Sequence, residues 1–526
     1  MDVTRATAAT RVDENGLVNY AEVLGGEEVT CGDFSCAVPL DSWSTGTGWT
    51  ISGGTANYDG VAPIGDIQQS ISFVVGKLYK YTFTISSLTQ GGVRVFIGNT
   101  VSIIHSSNGT FTGYMTYASG SFLILQARSS FVGSIDNVSV KEVTRDNVPR
   151  IDYTGGGCPH ILAEPQRTNE FTFSSDFSQS VWTNQDTSTI IGQLSPDGTL
   201  NAFNLSENSS LTNHRLQGVI FNSLTNGVDY TFSIFAKNNG RLLQMITSRS
   251  AFGNKIANFD LDNGVIGDVS VGFSATIESF GNGWFKCSVT VASVGTQGQF
   301  HYGLVTSTTS VLNEIYQGDG TSGIYIYGAQ LEQGSYATSY IPNFGTALGV
   351  TRNQDIFSRD GIGSLINSTE GVLFVEMAAL SNDGTYREIS LNDGTTNNVV
   401  EIRYTPTDNQ FQFIIRNGGA AVVNETITLS NALDFNKIAF SYKSNDYKMY
   451  VNGVQVATDT SGAMPSGLDT LSLEWGGNYF YGKLKQLQVY DTSLSDEQLL
   501  QLTGESGTDF YESYAEMASA LTYTIQ

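Results

Sequence analysis

The sequence is poor in the residues that build metal sites and covalent frameworks. Its 526 residues include only four cysteines and four histidines. Neither a CxxC nor an HExxH motif occurs, which argues against a zinc site, and four cysteines are too few for a disulfide scaffold. Cys31 and Cys36 enclose Gly-Asp-Phe-Ser, so a local disulfide there is an alternative to reduced thiols. We expect Cys158 and Cys287, which are far apart, to be reduced, and Cys158 to be packed.

Positive charge is also scarce. Lys and Arg number 26 against 50 Asp and Glu, which gives a formal net charge of −24. Nucleic acids and anionic membranes attract basic surfaces, so neither is expected as a partner. No apolar run is long enough to span a membrane, and the N-terminus lacks the apolar core of a signal peptide. We therefore expect a soluble protein that is synthesised in a cytoplasm without a signal peptide.

In place of charge, the chain carries small polar and aromatic residues. Charged residues make up 14% of the sequence, whereas there are 57 glycines, 25 tyrosines and 29 phenylalanines. This composition favours strands that are joined by tight turns. Residues 77–86, KLYKYTFTIS, alternate strictly between apolar and polar positions, as a half-buried strand does. The sequence therefore predicts an all-β chain of tandem antiparallel β-sandwiches with a short helix near its C-terminal end.

The length and the changes of pattern predict several domains. A chain of this size accommodates three or four domains. Near its end, Phe510, Tyr514, Met517 and Leu521 follow the period of an amphipathic helix. We predict an N-terminal arm at 1–24, an inserted β-sandwich at 25–144, an inter-domain segment at 145–165, a second jelly-roll sandwich at 166–345, a third sandwich at 346–503 and a C-terminal amphipathic helix at 504–526.

The first two sandwiches share a pattern of strands. The segment GVDYTFSIFAK at 227–237 parallels GKLYKYTFTIS at 76–86. The closing strands also correspond, because GIYIYGAQLEQ at 323–333 parallels GSIDNVSVKEV at 133–143. Such internal similarity predicts tandem copies of one jelly-roll type.

Two local signals mark the third sandwich. KMYVNGVQV contains Asn452-Gly453 between two apolar runs, which is the strongest short signal for a β-hairpin. LSDEQLLQL predicts a short helix with Ser495 as its N-cap and acidic residues in its first turn.

Two segments carry a resemblance to a known group of proteins. PRIDYTGGGCPHILAEPQRTN, at 149–169, resembles a segment that recurs in structural proteins of tailed bacteriophages, and TRATAATRV, at 4–12, resembles the lead-in of the same proteins. In that pattern the two segments nearly adjoin, so the intervening residues are interpreted as an insertion. The insert resembles a carbohydrate-binding-module jelly roll. The third sandwich, through GVLFVEMAAL and NKIAFSYKSNDYKMYVNGVQVAT, resembles laminin-G and concanavalin-A-like lectin domains.

The resemblance implies a virion structural protein. It would be a head-fibre or capsid-decoration protein or a tail-fibre component, located on the virion surface. Its partners would be other virion proteins and the glycans of a host cell or of mucus, bound without covalent chemistry. Such appendages are usually homotrimers, and the N-terminal arm is a candidate virion anchor.

Aromatic residues are the candidates for glycan binding, because an aromatic face stacks on the apolar side of a sugar ring. Trp49, Trp182 and Trp284 lie in strand patterns that favour the core. Trp475, Tyr479 and Tyr481 surround a Gly-Gly turn and are the predicted carbohydrate-binding residues.

No set of residues indicates catalysis, and we expect no enzyme and no cofactor. Asp383 and Asp393 lie in SNDGT and LNDGT, which could bind Ca²⁺, although turn chemistry explains both segments. Two alternatives remain, a polysaccharide depolymerase and a purely architectural capsid protein. A depolymerase would need two facing carboxylates in a deep groove, whereas a lectin would present a shallow aromatic surface.

Overall fold

The structure, a computed structural model, describes residues 1–504. The chain forms two compact units, of which one is Glu22–Val148 and the other joins Met1–Ala21 to the described residues from Pro149 onward. Almost all regular structure is β-strand, which confirms the all-β prediction. Within the described part of the chain, no helix is long and apolar enough to cross a membrane. The helical pattern predicted around Phe510–Leu521 lies outside the described residues.

The residues predicted as an arm are built into the larger unit. They form β1 (Asp2–Thr4), β2 (Thr10–Val12) and β3 (Val18–Tyr20). Strand β1 pairs with residues 356–358, and β2 and β3 pair with each other as a hairpin. Val3 is buried in the core of the third sandwich. The N-terminal residues therefore complete a sheet and do not form a free peptide.

The unit Glu22–Val148 is a β-sandwich with two long strands. Tyr79, Tyr81, Phe83 and Ile85 are buried, as the alternating pattern predicted. Cys31 and Cys36 form a disulfide. The strands are β4 (Val23–Glu27), β5 (Ser44–Thr45), β6 (Trp49–Ser52), β7 (Thr55–Asp59), β8 (Ile64–Ser70), β9 (Leu78–Ile97), β10 (Thr100–Val101), β11 (Gly109–Thr116) and β12 (Phe122–Thr144), with a 3-10 turn at Pro39–Asp41.

The second sandwich belongs to the larger unit and contains two six-stranded sheets. Three short strands precede it, namely β13 (Ile151–Asp152), β14 (His160–Ala163) and β15 (Arg167–Asn169). The strands of this part of the chain are β16 (Thr183–Gln185), β17 (Thr187–Gln193), β18 (Ala202–Glu207), β19 (Leu211–Thr212), β20 (His214–Phe221), β21 (Asp229–Asn239), β22 (Leu242–Ser248), β23 (Lys255–Asp260), β24 (Val265–Val269), β25 (Ser274–Ser279), β26 (Trp284–Ala292), β27 (Gly298–Val305), β28 (Tyr316–Gln317) and β29 (Gly323–Gln333). The strand orders of the two sheets are β16-β20-β27-β22-β23-β24 and β17-β18-β29-β21-β26-β25.

The first two sandwiches each contain the same tyrosine hydrogen bond at a corresponding position, in addition to the sequence pattern that they have in common. The hydroxyl of Tyr79 accepts a hydrogen bond from the Val74 amide at 3.0 Å, and that of Tyr230 accepts one from the Thr225 amide at 2.9 Å. Both amides lie five residues before the tyrosine. The same two contacts at corresponding positions support the prediction of tandem jelly rolls.

The third sandwich packs two seven-stranded sheets around one core. The elements of this part of the chain are β30 (Val350–Arg352), β31 (Ile356–Arg359), β32 (Glu370–Ala379), β33 (Arg387–Asn392), β34 (Val399–Tyr404), β35 (Gln410–Asn417), β36 (Ala420–Thr428), β37 (Asn436–Lys443), β38 (Tyr447–Val451), β39 (Val454–Asp459), β40 (Thr470–Ser472), β41 (Glu474–Trp475), β42 (Asn478–Tyr479), β43 (Gly482–Tyr490) and α1 (Asp496–Thr503). The strand orders of the two sheets are β1-β31-β40-β33-β34-β35-β36 and β13-β14-β43-β32-β37-β38-β39.

Both local predictions for this sandwich are confirmed. Strands β38 and β39 form the hairpin around Asn452 and Gly453, and both residues have the positive φ that such a turn requires. The Ser495 side chain accepts a hydrogen bond from the Gln498 amide, while the Gln498 side chain accepts one from the Ser495 amide. This reciprocal capping box starts α1 where the sequence placed it.

The segment 145–165 contains two short strands. Strands β13 and β14 pair with each other, and β14 pairs with β43, so they form the edge of a sheet of the third sandwich. The loop between them is irregular. Gly155, Gly156 and Gly157 have φ of +86°, +73° and +73°, and no atom lies within 4 Å of the position a Cβ would take on any of them. Cys158 is therefore exposed, because the loop offers nothing to pack against it, and the expected packed thiol is wrong.

A buried ion network joins the segments that resemble phage proteins. Arg150 Nη1 lies 2.5 Å from Glu164 Oε2, and its Nη2 donates to Asp355. Arg5 Nη1 lies 2.5 Å from Asp355, and Arg352 Nη1 lies 2.7 Å from Glu164. All five side chains are at most 4% exposed. We call these five residues the seam network, since they hold the N-terminal residues, 149–165 and 352–355 together.

Candidate functional site

The predicted aromatic site lies on a short hairpin of β41 and β42 around Gly476-Gly477. In this hairpin Trp475 pairs with Asn478, and Glu474 pairs with Tyr479. Paired residues share one face and neighbours alternate, so Trp475 and Tyr479 point to opposite faces. Tyr479 stacks on Tyr481 with ring centroids 5.9 Å apart. The structure thus brings Tyr479 and Tyr481 together but separates them from Trp475.

On its own face, Trp475 belongs to a cluster of charged and amide side chains. The Arg416 guanidinium lies 5.1 Å from the centre of the Trp475 ring. Asn478 donates a hydrogen bond to Glu388 at 3.2 Å. Arg403 Nη1 contacts Glu388 at 3.1 Å and Glu401 at 3.2 Å. We call Glu388, Glu401, Arg403, Arg416, Trp475 and Asn478 the glutamate cluster.

The two carboxylates of this cluster are enclosed. Both side chains are 0% exposed, and Glu388 Oε2 and Glu401 Oε2 have no hydrogen-bond partner. Burial raises the pKa of Glu388 to about 8, and the Glu401 carboxylate adds to that rise while Arg403 opposes it. Burial also raises the pKa of Glu401 to about 7, while the positive charges of Arg403 and Arg416 act to lower that pKa. A substrate has no path to this pair, so it lacks the open groove that glycosidic chemistry needs.

The larger unit also contains a cleft of about 570 Å³ between the second sandwich, the N-terminal hairpin and the third sandwich. Its floor is the outer face of β21, β26 and β25. Three rows of side chains cross these strands in register, and the rows are Phe235–Lys286–Glu278, Ser233–Ser288–Thr276 and Thr231–Thr290–Ser274. The inner face of the same strands carries the core residues Ile234, Cys287 and Val289.

Hydroxyl groups dominate the floor. Thr276 Oγ1 and Ser288 Oγ are 2.5 Å apart, and Thr231 Oγ1 and Thr290 Oγ1 are 2.7 Å apart. Ser274, Thr276, Ser288 and Thr290 all line the cleft, and we call these four residues the hydroxyl floor. Each hydroxyl can both donate and accept, so the surface matches a ligand that itself carries many hydroxyls.

Aromatic and charged side chains complete the lining. Phe235 and Phe280 meet edge to face with centroids 4.9 Å apart, Tyr340 packs edge to face on Phe235 at 6.2 Å, and Tyr336 also lines the cleft. The charged lining residues are Arg11, Asp152, Glu164, Glu278, Lys286 and Lys483. Apolar rings with a few convergent polar groups are typical of ligand sites.

Lys286 is the unusual member of the lining. Its side chain is 8% exposed and its ammonium donates to the Thr338 carbonyl. Within residues 1–504 it forms no salt bridge. Burial lowers the pKa of Lys286, even though the carboxylates of Glu332 and Glu278 favour the charged form. The nearer of these, Glu332, is engaged by the amide and hydroxyl of Thr338 at 2.8 and 2.6 Å.

Comparison with known proteins gives one match to a family model and a set of solved structures. Residues 374–500 match the family model described as the concanavalin A-like lectin/glucanases superfamily. No curated protein matches the chain. Two solved structures illustrate the structural likeness. The CBM40 of the Ruminococcus gnavus IT-sialidase, bound to alpha2,3 sialyllactose, has 18% identity and a TM-score of 0.24 over 28% of this chain and 98% of that chain. The tandem CBM22 domains of Paenibacillus barcinonensis Xyn10C have 12% identity and a TM-score of 0.21 over 60% of this chain and 98% of that chain. These scores are too low to transfer a ligand or an activity.

The third sandwich uses its two candidate Ca²⁺ carboxylates in turns. Asp383 accepts hydrogen bonds from Thr385 and from Arg387 at 2.8 Å. Asp393 accepts from Thr395 at 2.6 Å and from Asn398 at 2.7 Å. Among residues 1–504, no three acidic, histidine or cysteine side chains are grouped as a metal site would require. Turn chemistry explains both segments.

The cleft was not predicted from the sequence, although one signal for its floor was present. Ser and Thr occupy every outward position of 274–276 and 288–290, in SATIES and CSVTVA. The signal is weak, because Thr82 and Thr84 occupy outward positions of another strand in the same way. The walls gave no such signal, because they come from segments far apart in the chain.

Proposed function

We propose that this chain is a non-catalytic glycan-binding protein and that the cleft is its binding site. The hydroxyl floor carries this proposal. It places four hydroxyls on a sheet beside the partly buried aromatic ring of Phe280. Hydroxyls that donate and accept can read the hydroxyls of a sugar, while aromatic rings cover its apolar side. The match of residues 374–500 to a lectin-containing superfamily is in keeping with this role.

We further propose that the protein is a surface component of a tailed-bacteriophage virion, as a head-fibre or capsid-decoration protein or a tail-fibre component. The support is the resemblance of 4–12 and 149–169 to phage structural proteins. Arg5, Arg150 and Glu164 of those two segments all belong to the seam network, so the resembling residues form one structural element. Other virion proteins would then be partners, and a homotrimer would raise weak affinities through multivalency.

We propose that residues other than the N-terminal ones attach the protein to the virion. Strand β1 completes a sheet and Arg5 is engaged in the seam network, so these residues are committed to the fold. Removal of 1–24 would therefore damage the larger unit as well as any anchor. Labelling of particles with an antibody against the intact chain tests the location, because it separates a capsid position from a tail position. Absence of the chain from purified particles would contradict the virion role.

The double substitution T276V/S288A tests the binding site. Two hydroxyls are lost with little change of shape, and at about 0.5–1.5 kcal/mol for each hydrogen bond we expect about a tenfold weaker glycan affinity. The measurement is a glycan array with the full chain, followed by calorimetric titration of the tightest glycan.

The matched control is T84V/T110V. These two threonines form the same kind of hydroxyl pair, at 2.9 Å, on the outer face of a sheet in the unit Glu22–Val148. The control should bind as the wild type does. Equal affinity of T276V/S288A and the wild type would place the site elsewhere, with Tyr479 and Tyr481 as the next candidates. Absence of binding to every glycan would favour an architectural protein, and release of new reducing ends would favour a depolymerase.

A further inference from the structure

Lys286 differs from the other deeply buried cations of the larger unit. Arg5, Arg150 and Arg352 are each at most 1% exposed, and each forms a salt bridge with Glu164 or Asp355. Lys286 is similarly buried but donates to a neutral carbonyl, and within the described residues no carboxylate pairs with it. Glu332, Glu278 and Glu164 favour its charged form without forming a salt bridge to it. A buried charge with no direct salt bridge is unfavourable, so its retention needs a reason.

The position of Lys286 supplies that reason. It lies in the first row of the cleft floor, between Phe235 and Glu278 on the adjacent strands. Its ammonium is 5.8 Å from the centre of the Phe235 ring, and the residue is part of the lining of the cleft. An ammonium has three donors, and the Thr338 carbonyl takes one of them. Among residues 1–504 it makes no other hydrogen bond, which leaves two donors for a ligand.

We propose that the ligand of the cleft is an acidic glycan whose anionic group pairs with the Lys286 ammonium. This inference rests on the proposed function and specifies its substrate class. An acidic sugar offers an anion to Lys286 and hydroxyl groups to Thr276, Ser288 and the exposed carboxylate of Glu278. Arg11 and Lys483 also line the cleft, so its three cations match in number its three carboxylates, Asp152, Glu164 and Glu278, in a chain with a net charge of −24. Uronic and sialic acids carry the anion as a carboxylate, and sulfated sugars carry it as a sulfate ester.

The experiment compares three oligosaccharides of equal length on the full chain. They are a galacturonic acid oligosaccharide, its carboxyl-reduced neutral counterpart and a sulfated galactose oligosaccharide. We expect the wild type to bind at least one charged form about tenfold more tightly than the neutral form. Lys286→Met, which keeps the length of the side chain but removes the charge, should abolish that preference. Relative binding of the two charged forms then identifies the carboxylate or the sulfate.

The matched control is Lys237→Met. Lys237 lies on β21 of the same sheet, and its ammonium also donates to a backbone carbonyl, that of Asn282 at 2.6 Å. It is absent from the lining of the cleft, so the preference for charged glycans should remain. The melting temperature separates a binding role from a structural one. Lys286→Met should melt no lower than the wild type, since it removes a desolvated charge that has no carboxylate partner.

The outcomes separate this inference from the proposed function. Equal binding of neutral and charged forms by the wild type would overturn the inference and leave glycan binding in the cleft intact. A preference for charged forms that survives Lys286→Met would also overturn it, because the anion would then bind elsewhere. Absence of binding to all three forms, and to a wider array, would overturn the proposed function as well.

Discussion

Glu164→Ala is expected to lower the free energy of unfolding of the larger unit by about 3–5 kcal/mol, the range found when one partner of a buried ion pair is removed. Glu164 Oε2 lies 2.5 Å from Arg150 and 2.7 Å from Arg352, and Oε1 accepts a hydrogen bond from the Ser339 amide at 2.8 Å. Alanine would leave two buried guanidinium groups without this carboxylate. The effect is large because neither cation can reach water.

The matched control for this prediction is Glu370→Ala. Glu370 forms a salt bridge of 3.1 Å with Lys443, but the two side chains are 29% and 50% exposed. Such surface pairs contribute about 0–1 kcal/mol. Urea unfolding followed by tryptophan fluorescence measures both variants. A loss under 1 kcal/mol for Glu164→Ala would show that the seam network does not hold the unit together.

The seam network should also resist acid. Burial alone would raise the pKa of Glu164, but the guanidinium groups of Arg352 and Arg150 outweigh it and hold that pKa well below the usual range. A carboxyl group with a depressed pKa in the folded state contributes stability that is present above its unfolded pKa. That contribution is lost only as the pH falls through the lower, folded value. The network therefore persists at pH values that protonate ordinary glutamates.

Glu388→Gln is expected to raise the free energy of unfolding, whereas Glu164→Ala lowers it. The size of this increase should depend on pH. The folded pKa of Glu388 is raised to about 8, so the folded state holds a proton that the unfolded state releases near its ordinary value. The stability of the wild type should therefore fall as the pH rises from about 4.5 to about 8. Glutamine cannot ionise but keeps an oxygen for Arg403. The variant should gain roughly 1–3 kcal/mol over the wild type at pH 8.5 and much less at pH 5.

Urea unfolding at pH 5 and pH 8.5 measures this difference. Glu497→Gln serves as the control, because Glu497 lies exposed in the first turn of α1. Its stability should follow that of the wild type at both pH values. If the free energies of unfolding of Glu388→Gln and the wild type differed by the same amount at both pH values, the folded protein would not hold an extra proton on Glu388.

Local features of the fold could be predicted from the sequence because their causes are local. The alternation of Tyr79, Tyr81 and Phe83 fixes one face of a strand whatever its partners are. The Asn452-Gly453 turn and the Ser495 cap likewise depend on a few neighbouring residues. Each of these three predictions is confirmed by burial, φ angles or hydrogen bonds in the structure.

Features that depend on distant parts of the chain could not be predicted. Arg5 and Asp355 are 350 residues apart, and only the assembled sheets bring them together. The cleft likewise combines Thr10, Thr276 and Lys483 from three segments. The grouping of the three predicted aromatic residues depends on a smaller feature, because a two-residue turn places Trp475 and Tyr479 on opposite faces of their hairpin. The residue types could be read from the sequence, whereas their relative positions could not.

A crystal structure of the full chain with the oligosaccharide that it binds most tightly tests the cleft as a binding site most directly. We expect sugar density in the cleft, over Thr276 and Ser288 and beside Phe280, with an anionic group within hydrogen-bond distance of Lys286. Sugar density at Tyr479 and Tyr481, with the cleft occupied only by water, would contradict this expectation.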